Sequence, residues 1–548
     1  MPKPRIEWFD CSVVTPRAQC GTVKLPLDYD RPRGAKTEVA LLRVRAKDPK
    51  RRIGALFVNP GGPGASGVQF AAAAPDFLST EMLARFDIVG IDPRGTNFSD
   101  NVACWRNFGA QAAALAGMAV PFPYTNPETR DYVASARKFG KACSTTGRPL
   151  SSHMSTAQVA RDMDVLRRTL GDRTLTYLGF SYGTYLGQVY ANLFPDRVRA
   201  IAIDGVLDPI GWAGTRDAGI PQTQRIKSGE GADKALREIL RRCEAAGQDY
   251  CELAQYGEPL RLYDQIVASL KKQPLTVTDP DTGEIWYTMT YQDLIAILLS
   301  DLYSPDGSSW VDMDLTSVWT LLSEQSQPAA EKSAAKALRQ RLEQAFPQPT
   351  PTKPSLRTAG ARSGWGFPYD NSLETFQTVA CTDSRNPRSA AAWRGHAALA
   401  EQAAPGFGPL WTWASAPCAS STWTVRDPDS YRGPFTRHTA EPVLVVGNYW
   451  DPATNYAGAV TAASLLPSSR LLSSDSWGHT AYGTSECVTG AVDRYLLRVT
   501  LPARGTRCYG DVQPFTEPLE GGPGLRRSTP ARPLPPVVPP LPGSTPRQ

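Results

Sequence analysis

Ser181, Asp451 and His479 are the residues whose types and surroundings could carry covalent chemistry in this chain. Ser181 sits in Gly179-Phe180-Ser181-Tyr182-Gly183, a G-x-S-x-G between a β-branched run and an amphipathic one. A tight strand-to-helix turn there would lift the hydroxyl into a strained, exposed position, and the glycines remove Cβ atoms that would clash. The helix behind it would aim backbone N–H groups at charge forming beside the serine. A serine hydroxyl is a weak nucleophile until a base takes its proton. Of four histidines, His153 lies upstream of the serine, while His396 and His438 lie in or beside a long middle region. Trp477-Gly478-His479 follows a late strand and precedes the last helix, where such a base belongs. The acid that orients the imidazole is read as Asp451, with Asp204 and Asp475 as rivals. Asn59-Pro60-Gly61-Gly62-Pro63-Gly64 would complete an oxyanion hole, with the N–H of Gly62, or of Gly61, joining that of Tyr182. Pro60 and Pro63 have no N–H to give. The expected chemistry is acyl transfer, with no metal and no cofactor.

The glycine loop also fits a competing chemistry. Gly62-Pro63-Gly64-Ala65-Ser66-Gly67 satisfies G-x-G-x-x-G after a strand, and Asp87 and Asp92 follow about 20 residues or more later, as a dinucleotide site wants. Read alone it implies an oxidoreductase. The segment is internal, though, and Asp92-Pro93-Arg94-Gly95 reads as a turn. The nucleotide reading also leaves the serine, acid and histidine unexplained.

These residues need a sheet to hold them. Gly54–Val58, Phe86–Ile91, Thr174–Leu178 and Arg199–Asp204 read as buried strands, with helices over Ser155–Leu170 and Tyr182–Leu193. The pattern resumes with a strand at Pro442–Gly447, a helix at Tyr456–Leu466, a strand at Arg470–Ser474 and a helix at Thr484–Val499. Alternating strands and helices predict a mostly parallel, doubly wound sheet. In between, Ala232–Ala246, Pro259–Lys272, Tyr291–Tyr303 and Ala329–Phe346 have helical periodicity without convincing strands, and Gln348–Asp370 reads as a loop or hinge. The fold class is therefore α/β; with G-x-S-x-G at a strand end and the order serine, acid, histidine, it is expected to be an α/β-hydrolase fold with a large, mainly helical lid insertion over the carboxyl edge of the sheet. The divisions are 1–209 and 436–511 for the two parts of the core, 210–435 for the lid, and 512–548 for a Pro-rich disordered tail.

Composition narrows the partners. With 41% hydrophobic and 20% charged residues the chain is ordinary for a folded protein, and a net charge of +6 without like-charge blocks gives no reason for nucleic acid. No apolar run reaches the roughly 18 residues of a spanning helix. Oligomeric state is not legible. Ten scattered cysteines, with no C-x-x-C, read as disulfides and favour export. The neighbours point to Cys11–Cys20, Cys243–Cys251 and Cys487–Cys508. The start, Met1-Pro-Lys-Pro-Arg, carries no signal-peptide apolar segment, which leaves a cytoplasmic location open.

Gly61-Gly62-Pro63-Gly64, Asp92-Pro93-Arg94-Gly95, Tyr177 to Gly187 and Asp204 to Pro209 together resemble the prolyl and tripeptidyl aminopeptidases. Residues from about Val379 to Asp511, including Ala380-Cys381-Thr382-Asp383 and Pro417-Cys418, are similar to the C-terminal region of the secreted bacterial tripeptidyl aminopeptidases. The resemblance implies a serine peptidase that removes short peptides from free N-termini, its lid restricting access. Its relatives also include esterases and amidases, so a peptide-like metabolite is the alternative substrate. Thr96-Asn97-Phe98-Ser99 departs from the glycine and serine usual after the Asp-Pro-Arg-Gly turn. An exopeptidase needs an anion for the substrate's α-ammonium. Glu230 and Asp233 could serve, although each also reads as a solvated helix-start acid.

Overall fold

The computed structural model describes residues 3–323, 327–345 and 371–519. The loop expected over 348–370 and the tail beyond 519 lie outside the described residues. The ten-stranded sheet has the order β1 (Glu7–Asp10), β2 (Ala18–Pro26), β3 (Lys36–Val44), β5 (Phe86–Ile91), β4 (Gly54–Asn59), β6 (Leu175–Phe180), β7 (Val198–Asp204), β10 (Val443–Trp450), β11 (Arg470–Trp477), β12 (Arg507–Tyr509). From β5 to β12 every pair is parallel. The first three strands are antiparallel additions that lack a clear period-2 pattern, and sequence reading did not find them.

Parallel strands are covered on both faces, which explains their near-continuous apolar runs. Side chains alternate sides, so each strand feeds two cores. Ile201, Ile203, Val443 and Val445 join one, packed by helices Thr156–Thr169, Tyr182–Leu193 and Tyr456–Leu465. Ala200, Ala202, Leu444 and Val446 join the other, under helices Gly67–Phe77 and Glu486–Arg498. The chain crosses from β4 to β5 on one side and places β6 on the other, so the carboxyl ends of β4 and β6 form a topological switch point.

Between β7 and β10 the chain inserts helices, among them Ser228–Ala246, Pro259–Lys272, Tyr291–Leu302 and Ser372–Asp383. The expectation of no strands here is corrected by a hairpin, β8 (Leu275–Thr278) with β9 (Ile285–Met289). Its β-branched and aromatic residues suit a pleated surface, yet it buries only Val277 and Met289, too little to announce itself. Disorder from residue 512 is likewise corrected over 512–519: Phe515 is buried and Gln513 Oε1 accepts from Arg242 and Trp477.

All ten cysteines pair, as Cys11–Cys20, Cys104–Cys143, Cys243–Cys251, Cys381–Cys418 and Cys487–Cys508. No helix among the described residues is long and apolar enough to cross a membrane.

Candidate active site

The β6 strand ends at Phe180, and the chain reverses at once into helix Tyr182–Leu193. Ser181, at the turn, is held at φ 55° and ψ −126°, a region β-carbon sterics disfavour. The flanking glycines are obligatory: a Cβ on Gly179 would lie 2.6 Å from Gly183 O, and one on Gly183 2.7 Å from Asn59 Oδ1. Ser181 N–H donates to Asp204 O at 3.0 Å, tying the turn to the end of β7.

The glycine loop leaves β4 beside this turn. Gly61, at φ 99°, lies so close that a Cβ would stand 2.8 Å from Ser181 Cβ and 3.0 Å from Tyr182 N. Its own N–H donates to Asn59 Oδ1 at 2.9 Å. Of the two glycines considered for the oxyanion hole, Gly61 is therefore already engaged. The Gly62 N–H has no acceptor among the described residues.

β10 runs three residues beyond its expected end, to Trp450, with a register shift between Asn448 and Trp450. Asp451 thus emerges at the sheet rim, fully buried. Both its oxygens lie 2.9 Å from His479 Nδ1. Oδ1 also accepts from Ala453 N and Thr454 N at 2.9 and 2.8 Å, and Oδ2 from Thr454 Oγ1 and Thr480 N at 2.8 and 3.1 Å. Burial by itself would raise this carboxyl. The His479 imidazole beside it, with hydrogen bonds from His479, Thr454 and Thr480, brings it below the usual carboxylate range.

His479 is buried, its backbone N–H donating to Tyr303 O at 3.0 Å and its ring edge-on to Tyr303. Asn448 Nδ2 holds the loop through Gly478 O at 2.8 Å. The imidazole reaches the Asp204–Gly205 segment that also anchors Ser181: a Cβ on Gly205 would lie 3.2 Å from His479 Cε1. The rival acids have other partners. Asp204 accepts from Ala481 N at 3.0 Å and Tyr482 N at 2.7 Å, and burial, helped by the charge of Asp451, pushes it up to about 6. Asp475 accepts from Trp450 Nε1 at 2.6 Å. His438 Nδ1 meets Ser468 Oγ on the surface at 3.0 Å, and the carbonyl of His153 accepts from Arg94. His396 lies on helix Trp393–Ala403, its carbonyl accepting from Gln224 Nε2.

Sequence reading missed Thr454 and Asn448, which hold Asp451 and the His479 loop by hydrogen bonds. The spacing Asp451-Pro-Ala-Thr454 was the available signal, since an aspartate often accepts from groups two and three residues on.

The dinucleotide alternative fails on the residues it needed. Asp92 is fully buried and caps helix Gly67–Phe77, its Oδ1 accepting from Ser66 Oγ at 2.7 Å and Val68 N at 3.0 Å. The helix N-terminus that would receive a pyrophosphate already has its carboxylate. Asp87 binds Ala46 N and Arg52 Nε, both at 2.9 Å. Phe98 N and Ser99 Oγ also serve Asp92, at 2.9 and 2.6 Å, so the unusual Thr96–Ser99 stretch braces a turn. Arg94, beside it, spends every N–H on Asp162 and the carbonyls of Pro26, Leu27 and His153. Glu230 and Asp233 pair with Lys227 and Arg237.

Residues 54–235 match the family described as alpha/beta hydrolase fold, and residues 403–508 the one described as TAP-like protein. The chain is 31% identical to the tripeptidyl aminopeptidase of Streptomyces lividans over 93% of its own length and 87% of that protein's. It is 29% identical to serine protease Hip1 of Mycobacterium tuberculosis (92% and 91% covered). Carboxylesterase B of the same species is 32% identical (90% and 86% covered). Nearly full-length relatives of this kind, on this sheet, mean that the chain belongs to the α/β-hydrolase family and is a hydrolase.

Proposed function

We propose that the chain is a serine peptidase that releases short peptides from free N-termini through an acyl-enzyme on Ser181. The observation that carries this reading is the buried Asp451–His479 pair at the sheet rim, its imidazole against the Asp204–Gly205 segment that anchors Ser181. With its Nδ1 proton donated to Asp451, the imidazole keeps its Nε2 lone pair for a serine proton. Ser181 Oγ attacks the carbonyl carbon as His479 takes that proton. The oxyanion forms against the N–H groups of Gly62 and Tyr182, the latter opening a helix. The C–N bond breaks, and the amine leaves with the proton from His479. Water then attacks the acyl ester, gives its proton to His479, and the acid departs as Ser181 regains its hydrogen.

The peptide substrate rests on the names of the tripeptidyl aminopeptidase and serine protease relatives. The equally similar carboxylesterase supports the second reading, an esterase or amidase for a peptide-like metabolite. Five disulfides support an oxidising, extracellular setting. Ser181→Ala should abolish fluorophosphonate labelling and lower turnover by about 10⁴ to 10⁶. Chromogenic mono-, di- and tripeptide amides beside simple esters decide the substrate. Preference for blocked amino termini would overturn the exopeptidase reading.

A further inference from the structure

Helix Ser372–Asp383 meets the glycine loop at its start and reaches Tyr182, through Thr156, at its end. At its start, Ser372 O and Thr375 Cβ each lie 3.2 Å from where a Cβ on Gly64 would be, in the glycine loop. Asn371 Nδ2 and Thr375 Oγ1 fasten that end to Gly95 O at 2.9 and 3.1 Å. At its end, Asp383 is fully buried beneath the nucleophile turn. Its Oδ1 accepts from Thr156 N at 2.8 Å, and its Oδ2 from Thr156 Oγ1 at 2.6 Å and Trp212 Nε1 at 3.1 Å. Thr156 Oγ1 lies 2.5 Å from the Tyr182 hydroxyl.

The chain of bonds has a fixed polarity. Thr156 has one hydroxyl proton and gives it to the carboxylate, so Tyr182 must donate to Thr156. Trp212 closes the arrangement, its ring 5.5 Å from that of Tyr182. The helix end is itself anchored, by Cys381–Cys418 and by Arg432, which donates to the carbonyls of Asp383 and Thr382 at 2.7 and 2.9 Å. Burial pushes the Asp383 carboxyl up to about 6, and a fully buried carboxylate is costly to keep for packing alone.

We propose that Asp383 is a positioning residue, which acts through Thr156 and the Tyr182 hydroxyl to fix the first turn of the nucleophile helix and aim the Tyr182 N–H at the forming oxyanion. The proposal rests on the reading of Ser181 as nucleophile. The inserted helix is then a brace for the oxyanion hole.

The test uses the full chain with Thr156→Val, Thr156→Ser and Tyr182→Phe. Two rates are read: phosphonylation of Ser181 by a fluorophosphonate, followed by mass spectrometry of its peptide, and kcat on a tripeptide p-nitroanilide. Thr156→Val and Tyr182→Phe should lower both rates together by about 10-fold to 100-fold, with KM within about twofold. Thr156→Ser, which keeps the hydroxyl, should restore both. The double variant should be no slower than Thr156→Val, because both changes cut one chain of bonds. Variants that melt earlier yet react at the native rate would make Asp383 a structural group only and overturn the proposal. If Thr156→Val does not fold, Tyr182→Phe, which keeps the ring on Trp212, decides by the same readings. Failure of the unaltered protein to label at Ser181 would instead remove the reading of the site.

Discussion

Asp451→Asn changes one oxygen to an NH₂ group and should nearly silence the enzyme without unfolding it. The amide must choose an orientation. Placed at Oδ1, its NH₂ would face the N–H groups of Ala453 and Thr454, two donors that cannot turn away. Placed at Oδ2, it meets one fixed donor, Thr480 N–H, and a Thr454 hydroxyl that can rotate to accept. The second orientation wins, and it points an N–H at His479 Nδ1. The imidazole then carries its proton on Nε2 and cannot receive one from Ser181. A misplaced tautomer of this kind costs on the order of 10⁴ in kcat, about 5.4 kcal/mol at 1.36 kcal/mol per decade. KM should change little, because nothing that holds the substrate is touched. Asp204→Asn is the control: its carboxylate bonds to Ala481 and Tyr482, not the imidazole, so the loss should stay near tenfold. Steady-state kinetics of both variants on one peptide amide decide the matter. Asp451→Asn within tenfold of the native rate, with Asp204→Asn down by about 10⁴, would make Asp204 the acid and refute this reasoning.

Arg94→Met strands the buried Asp162 charge and three backbone carbonyls, and should cost about 3–5 kcal/mol in urea unfolding; a loss below 1 kcal/mol would show that the charge finds water. Opening Cys381–Cys418 by a double alanine substitution frees a loop spanning 37 residues and should lower unfolding free energy by ~4 kcal/mol, measured without reductant. Burial raises Asp92, Asp204 and Asp383 to about 6, whereas the unfolded chain's aspartates titrate near about 3.9. Unfolding therefore releases protons between those values, and stability falls as pH rises from about 4 to about 6. Asp451, held low, acts oppositely and loses its contribution only below about 4. Melting temperature should rise as pH falls from 7 to 5, less steeply in Asp204→Asn; a steady decline over that range would contradict the assignment.

Much of the setting of the candidate site was legible because local rules govern it. G-x-S-x-G between a strand and a helix announces a turn whose glycines must be bare, and Gly179 and Gly183 meet backbone and side-chain atoms within 3 Å of any added Cβ. The order of serine, acid and histidine placed Asp451 and His479 at strand ends because only there does a parallel sheet leave side chains free. The antiparallel strands at residues 7–44 and the hairpin at 275–289 were not legible, since short or half-exposed strands carry little periodicity.

By itself, the amino-acid sequence determined the parallel strands and helices that frame the candidate site and which residue types could do the chemistry, since period, turn residues and capping act over a few neighbours. The tertiary structure alone decided which carboxylate meets the imidazole, that Asp92 fills the helix N-terminus a nucleotide would need, which cysteines pair across nearly forty residues, and that Asp383 reaches Tyr182. Those choices depend on contacts between atoms far apart along the chain, and no local pattern of residues encodes a distance.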